Sequence, residues 1–144
     1  MTINFTSFVA LTHALLPHLL ANNKQSSLIF TGSQTSLVPA YPMPAYSASK
    51  AALDAFIICL REQLRDTNVK VMHVSPGPIQ TEMNPTFGMP LADFVDETYT
   101  GLVGKRADIF PGCVGGSTID QFEEIVEKRD EAFARLSKTI RDFH

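Results

Sequence analysis

The chain has 144 residues, 44% of them apolar, which fits one domain of ordinary size with its own core. Its 12 basic and 15 acidic residues give a net charge of −3 with no basic run, which argues against nucleic acid as a partner. The two cysteines, Cys59 and Cys113, lie far apart, follow no metal-ligand spacing, and fit a reducing, cytoplasmic setting.

Residues 3–22 read as a helix with a wide apolar face formed by Phe5, Phe8, Val9, Thr12, Leu15, Leu16, Leu19 and Leu20, ended by Asn22-Asn23-Lys24. Its run from Phe8 to Leu20 could pass for a signal peptide. No basic stretch precedes it, however, and His13, Pro17 and His18 interrupt it. It is too short to span a bilayer and is expected to be a buried helix, with no membrane as partner. The continuous apolar run 27–32 is expected to be a parallel strand covered on both faces. A proline-interrupted loop, Val38 to Pro44, leads into a helix over 46–65. Small residues on that helix (Ala45, Ala48, Ala51, Ala52, Ala55) allow another helix or a sheet to come close, and Cys59, inside the run Phe56 to Leu60, is expected to be a buried free thiol. The strand 69–74 follows within a few residues, so 27–32, 46–65 and 69–74 form one right-handed βαβ unit. Asn84, Pro85, Gly88 and Pro90 break regular structure before a helix over Leu91 to Val103. A last helix, 118–143, opens on the capping box Thr118-x-x-Gln121. Its apolar face is Phe122, Ile125, Val126, Phe133, Leu136, Ile140 and Phe143, with Glu124/Lys128 and Glu131/Arg135 as supporting pairs.

The most informative stretch is Tyr46-Ser47-Ala48-Ser49-Lys50. Residues four apart on a helix share a face, and an ammonium beside a phenol favours the phenolate. The pair supplies a proton donor and acceptor near neutral pH, which carbonyl reduction or alcohol oxidation needs. Ser33 ends a strand and a small-residue turn thirteen residues earlier, and the second strand ends in Ser75-Pro76-Gly77-Pro78-Ile79-Gln80-Thr81. In this order and spacing the elements resemble the short-chain dehydrogenase/reductase family, closely over residues 1 to 83 and more loosely over 105 to 112.

The resemblance implies an α/β fold, the C-terminal part of a Rossmann-like doubly wound parallel sheet, with NAD or NADP as cofactor. It implies Tyr46 as catalytic acid/base and Lys50 as the group that favours its phenolate and bonds the nicotinamide ribose, with Ser33 holding the substrate oxygen. Asn4, twenty-nine residues before Ser33, matches the family's fourth catalytic residue. Pro76 and Gly77 would pack under the nicotinamide, where a residue without Cβ lets the backbone approach. Ile79, through its backbone, and Thr81 would meet the carboxamide. Residues 84–104 match the segment that covers the substrate, and Ala107 to Gly112 the last strand and its turn. The Thr-Gly-x-x-x-Gly-x-Gly turn and the Asn-Asn-Ala-Gly element of the family do not occur, so the sequence reads as one partial domain over 1–144 without the phosphate-binding half.

The bland readings are a capping Tyr46, a solvated Lys50, a terminal Asn4 and an ordinary strand-ending turn at Pro76-Gly77. The shared register of Ser33, Tyr46 and Pro76-Gly77 favours function. Gly112, Gly115 and Gly116 lack the Lys-Ser/Thr of a phosphate loop. His13, His18, His73 and His144 show no ligand spacing and read as surface or core residues, with no metal site. Two functions follow: an NAD(P)-dependent oxidoreductase acting on a small-molecule carbonyl or alcohol, or a catalytically inactive fragment or interaction module. Phe87, Met89, Phe94 and Tyr99 suit an apolar substrate or plain core packing equally. The helices 3–22 and 46–65 match those that pair subunits in the family, so a homo-oligomer is expected.

Overall fold

The computed structural model describes residues 1–22, 24–113 and 116–143, so Asn23, Val114, Gly115 and His144 fall outside the described residues. A π-helical turn, Thr2–Thr6, runs into α1, Ser7–Ala21. Then come β1 Ser26–Thr31, a 3₁₀ turn Gln34–Ser36, α2 Pro44–Gln63, β2 Val69–Val74, α3 Leu91–Val103, β3 Asp108–Ile109 and α4 Ile119–Asp142. The three strands form one parallel sheet in the order β1-β2-β3, with Ser26 opposite Val69, Thr31 opposite Val74 and His73 opposite Asp108. The architecture is α/β, built on a parallel sheet as expected.

Strand alternation sets the layers. On one side, Phe30, Val69 and Val71 meet Leu53, Ile57 and Leu60 of α2, with Phe8, Leu16 and Leu19 of α1 against them. Three aromatic contacts knit this side: Phe30 lies 6.2 Å from both Phe8 and Phe56, and Phe5 stands edge-on to Phe56 at 6.3 Å. On the other side, Met72, Val74 and Ile109 meet Leu102 of α3. Proline at its first position starts α2 without wasting a donor. The Ser47 hydroxyl, one turn in, accepts from Ala40 N–H at 3.1 Å and fixes the incoming loop. The capping box of α4 forms as expected: Gln121 N–H donates to Thr118 Oγ1 at 3.3 Å, and Thr118 N–H to Gln121 Oε1 at 3.0 Å. Phe122 and Val126 then pack on Phe110, with the Phe110 and Phe122 rings stacked at 5.6 Å.

Several expectations of burial do not hold. β1 is covered on one face only: Phe30 is buried, while Ser27, Ile29 and Thr31 face outward and Ile29 is 52% exposed. The reason is that α1 and α2 share one side of β1, and α3 covers only β2 and β3 on the other. α1 is not a buried helix, because Thr12 alone is buried and Leu11, Leu15 and Leu20 face outward. Nor is it too short to span a bilayer, as was expected of Phe8 to Leu20: with its π turn it spans Thr2–Ala21, 20 residues, long and apolar enough to cross a membrane by length and composition. Cys59 is exposed, on the outward side of α2 with Ala48, Ala51 and Ala55. In α4, Leu136, Ile140 and Phe143 are exposed, and Lys128 pairs with Glu131 at 3.4 Å instead of with Glu124.

The three strand ends are tied together at their C-terminal side. Gly77 N–H donates to Pro111 O at 2.9 Å, and Gln34 N–H to Pro76 O at 3.0 Å. A Cβ on Gly77 would lie 1.9 Å from the Gly112 carbonyl oxygen and 3.0 Å from Gln34 Oε1. Glycine is therefore required here by this chain's own backbone. Gly77→Ala is expected to destabilise the fold by about 1–3 kcal/mol, since backbone must move to admit the methyl. Urea unfolding measures this, and an unchanged midpoint would contradict the packing.

Candidate active site

β1 delivers Ser33 two residues past its end. Ser33 is buried and caps the 3₁₀ turn, its Oγ accepting from Thr35 N–H at 3.2 Å and from Thr35 Oγ1 at 3.0 Å. The following Gln34 is buried as well, and its Nε2 donates to Pro111 O at 3.2 Å. With its backbone bond to Pro76, this side chain clamps the loops after all three strands. Sequence reasoning missed Gln34, for nothing in its neighbours announces contacts seventy-seven residues away.

Tyr46 lies in the first turn of α2, part-exposed. One turn on, the buried Lys50 places its Nζ 5.7 Å from the centroid of the Tyr46 ring. The same Nζ donates to Thr31 O at 3.1 Å, which anchors the ammonium at the C-terminal end of β1. Burial lowers the Lys50 pKa from its ordinary value, because desolvation penalises the charged form. Ser33, Tyr46 and Lys50 thus belong to the same end of the sheet, where open α/β sheets bind ligands. No hydrogen bond joins Ser33 to Tyr46 among the described residues.

Asn4 sits in the π-helical turn, a rare geometry that concentrates at functional sites. Its Nδ2 donates to Ser49 Oγ at 3.1 Å, and Ser49 Oγ donates to Tyr46 O at 2.7 Å. Asn4 therefore reaches the Tyr46 turn through Ser49, a link sequence reasoning did not find. The remaining candidates share the loop after β2. Ile79 bridges Met89, Gln80 N–H donates to Met89 O at 2.8 Å, and Met89 N–H to Pro78 O at 3.0 Å. Thr81 and Asn84 exchange backbone bonds of 3.2 and 3.0 Å in an exposed turn. Pro76 and Gly77 are thus fastened to the Ser33 side through Gln34, while Thr81 stands at the outer end of the loop. A cavity of about 590 Å³ lies at the opposite end of the sheet, between Gln25, Ser27, Val69 and Lys70 and the end of α3. It holds none of these residues.

Known proteins share this fold and part of this sequence. The family profile described as short chain dehydrogenase matches residues 1–89. Dehydrogenase/reductase SDR family member 7B of Mus musculus is 40% identical over 84 residues, which are 58% of this chain and 26% of that protein. A short-chain dehydrogenase from Burkholderia cenocepacia, solved in complex with NADP, superposes with TM-score 0.69 at 28% identity over 93% of this chain and 56% of its own. Another from Sphingobium yanoikuyae, in complex with NADPH, shares the fold with TM-score 0.75 at 19% identity, over 92% of this chain and 54% of its own. The chain thus spans about half the length of these solved structures, and its match about a quarter of the mouse relative. With the profile matched over most of its length and the three strand ends joined as described, the chain belongs to the short chain dehydrogenase family of oxidoreductases.

Proposed function

We propose that the whole protein is an NAD(P)-dependent oxidoreductase interconverting a carbonyl and an alcohol on a small molecule, with Tyr46 as acid/base. The observation that carries this reading is the Lys50 ammonium, buried, anchored on Thr31 O and set beside the Tyr46 ring. When bound, the nicotinamide gives or takes the hydride. In reduction the Tyr46 hydroxyl gives its proton to the carbonyl oxygen, and in oxidation it takes the alcohol proton. Lys50 stabilises the negative charge that forms on the phenol oxygen and has further N–H donors for the nicotinamide ribose. Ser33 Oγ orients the substrate oxygen, and Asn4 holds the turn behind Tyr46 through Ser49.

The residues present fit the nicotinamide end of such a cofactor. Pro76, Gly77, Ile79 and Thr81 form one loop at the same strand ends, held there by the Gly77 N–H bond to Pro111 O. The relative from Burkholderia cenocepacia, at 28% identity, was solved in complex with NADP, which supports a nicotinamide dinucleotide here, with NAD and NADP both retained. Tyr46→Phe keeps the shape and removes the transferable proton. Turnover of the whole enzyme should fall about 10²–10⁴-fold with cofactor affinity preserved, while Lys50→Ala lowers both. Wild-type turnover in Tyr46→Phe would refute the assignment.

We further propose that two copies pair through α1 and α2. The exposed Ala48, Ala51 and Ala55 give α2 a smooth outward face, and Leu11 and Leu15 of α1 are exposed apolar residues. A two-fold contact satisfies both copies with the same patch. Light scattering on a sizing column should give about twice the 15.9 kDa of the chain. A monodisperse monomer at micromolar concentration would contradict the pairing.

A further inference from the structure

Ser33 caps the 3₁₀ turn Gln34–Ser36 from an extended backbone, its Oγ accepting from Thr35 N–H at 3.2 Å. That bond comes from backbone, so any residue at position 35 except proline would supply it. Thr35 adds a second bond that the turn does not need. Its Oγ1 lies 3.0 Å from the same Ser33 Oγ and meets no other hydrogen-bonding group among the described residues. β-Branching leaves Thr35 few χ1 rotamers, so holding the hydroxyl there costs little entropy. Ser33 is buried and Thr35 half-buried, so water competes weakly for the pair. Gln34, between them, turns its amide nitrogen to Pro111 O and Cys113 Sγ instead.

A hydroxyl has two acceptor sites and one proton. At Ser33 Oγ the Thr35 N–H takes one acceptor site. The two hydroxyls then share a single bond, and one of them must donate it. Were Ser33 the donor, its proton would be spent on Thr35, and a carbonyl oxygen, which only accepts, would find none. With Thr35 as donor, both acceptor sites of Ser33 are filled and its proton is free to point outward. A carbonyl oxygen beside Ser33 therefore fixes the direction: Thr35 O–H to Ser33 Oγ, and Ser33 O–H to the substrate oxygen. Hydrogen bonds in a chain polarise one another, so donation to Ser33 Oγ makes the Ser33 proton a stronger donor.

We propose that Thr35 is a positioning residue of this site: its hydroxyl, donating to Ser33 Oγ, turns the Ser33 proton to the substrate oxygen and strengthens that bond as charge grows on the oxygen. This role rests on the proposed reaction, in which Ser33 orients the substrate oxygen. In reduction the carbonyl carbon takes the hydride, the C–O π pair moves onto the oxygen, and Tyr46 supplies the proton. Neither Ser33 nor Thr35 loses one; both only hold hydrogen bonds. The oxygen carries more negative charge in the transition state than in the bound ketone or aldehyde. The contribution of Thr35 therefore falls on kcat more than on KM.

Thr35→Val keeps the branched shape and the backbone N–H and removes only the hydroxyl, while Thr35→Ser returns it. Turnover of the whole enzyme is measured on a panel of aldehydes and ketones with NADH and NADPH. Thr35→Val should lose about 2- to 10-fold in kcat, the worth of one hydrogen bond, with KM and melting temperature held. Thr35→Ser should recover the loss. With Ser33→Ala already in place, Thr35→Val should cost nothing more, since no Ser33 proton remains to be turned. Wild-type kcat in Thr35→Val, no recovery in Thr35→Ser, or the full loss in the Ser33→Ala background would each overturn the role of Thr35. Wild-type turnover in Ser33→Ala, or a panel without turnover, would remove the proposed reaction and this role together. A damaged Ser33→Ala beside an unaffected Thr35→Val sinks the role of Thr35 alone. One further measurement needs no substrate and stands whether or not the variants fold. Three-bond couplings from the Thr35 methyl carbon to its own N and carbonyl carbon, in the 144-residue chain, should report a single χ1 rotamer. Averaging over rotamers would overturn the contact itself.

Discussion

The parallel pairing of β1 with β2 is the constraint on which the rest depends. Two parallel neighbours cannot be joined by a tight turn, so the chain must leave the C-terminal end of β1 and return to the N-terminal end of β2. The crossover helix α2 therefore starts at the same end at which Ser33 emerges. Tyr46 and Lys50, in its first two turns, have no other place to be, and Lys50 confirms the geometry by reaching back to the last carbonyl of β1. Pro76 and Gly77 arrive there because β2 runs the same way. The candidate site is thus a product of topology, and its residues can lie far apart in sequence without any long loop to gather them.

Two kinds of interaction hold this end of the sheet to a narrow geometry. One is steric: the glycine at 77 permits a backbone approach that no side chain would tolerate, and Gln34 bridges the loops on either side. The other is electrostatic. Beneath the strand ends, a buried row of Arg61, Asp108, His73, Asp54 and Arg129 joins α2, β2, β3 and α4. Ion pairs of this burial add little net stability over apolar packing, but removing one partner strands the others at a cost of about 3–5 kcal/mol. The row acts as a register, admitting one placement of α4 and rejecting others.

The elements and the motifs were legible in the sequence; the coverage of faces was not. The α3 bounds Leu91 to Val103, the capping box at Thr118 and the βαβ order each depend on residues within a turn or two of one another. Whether an apolar residue is covered depends on a different element, which no local pattern reports. Ile29, Cys59 and most of α1 therefore looked like core and are exposed. The same limit hid Gln34, Ser49 and the His73 row. Their partners come from positions as distant as 34 and 111, 4 and 49, or 54 and 129, and each residue by itself looks unremarkable. Asn4 was found by resemblance, but its route to Tyr46 was not, since Ser49 carries no motif.

The central claim is that Ser33 and Tyr46, brought to one strand end by the crossover, act on one substrate oxygen as a unit. A double-mutant cycle on turnover of the whole enzyme tests it most directly, using Ser33→Ala, Tyr46→Phe and the pair. Groups that act together fail together, so adding Ser33→Ala to Tyr46→Phe should cost little beyond the single change. Losses that multiply, with Ser33→Ala as damaging in the Tyr46→Phe background as alone, would show that the two hydroxyls serve separate roles and contradict the account.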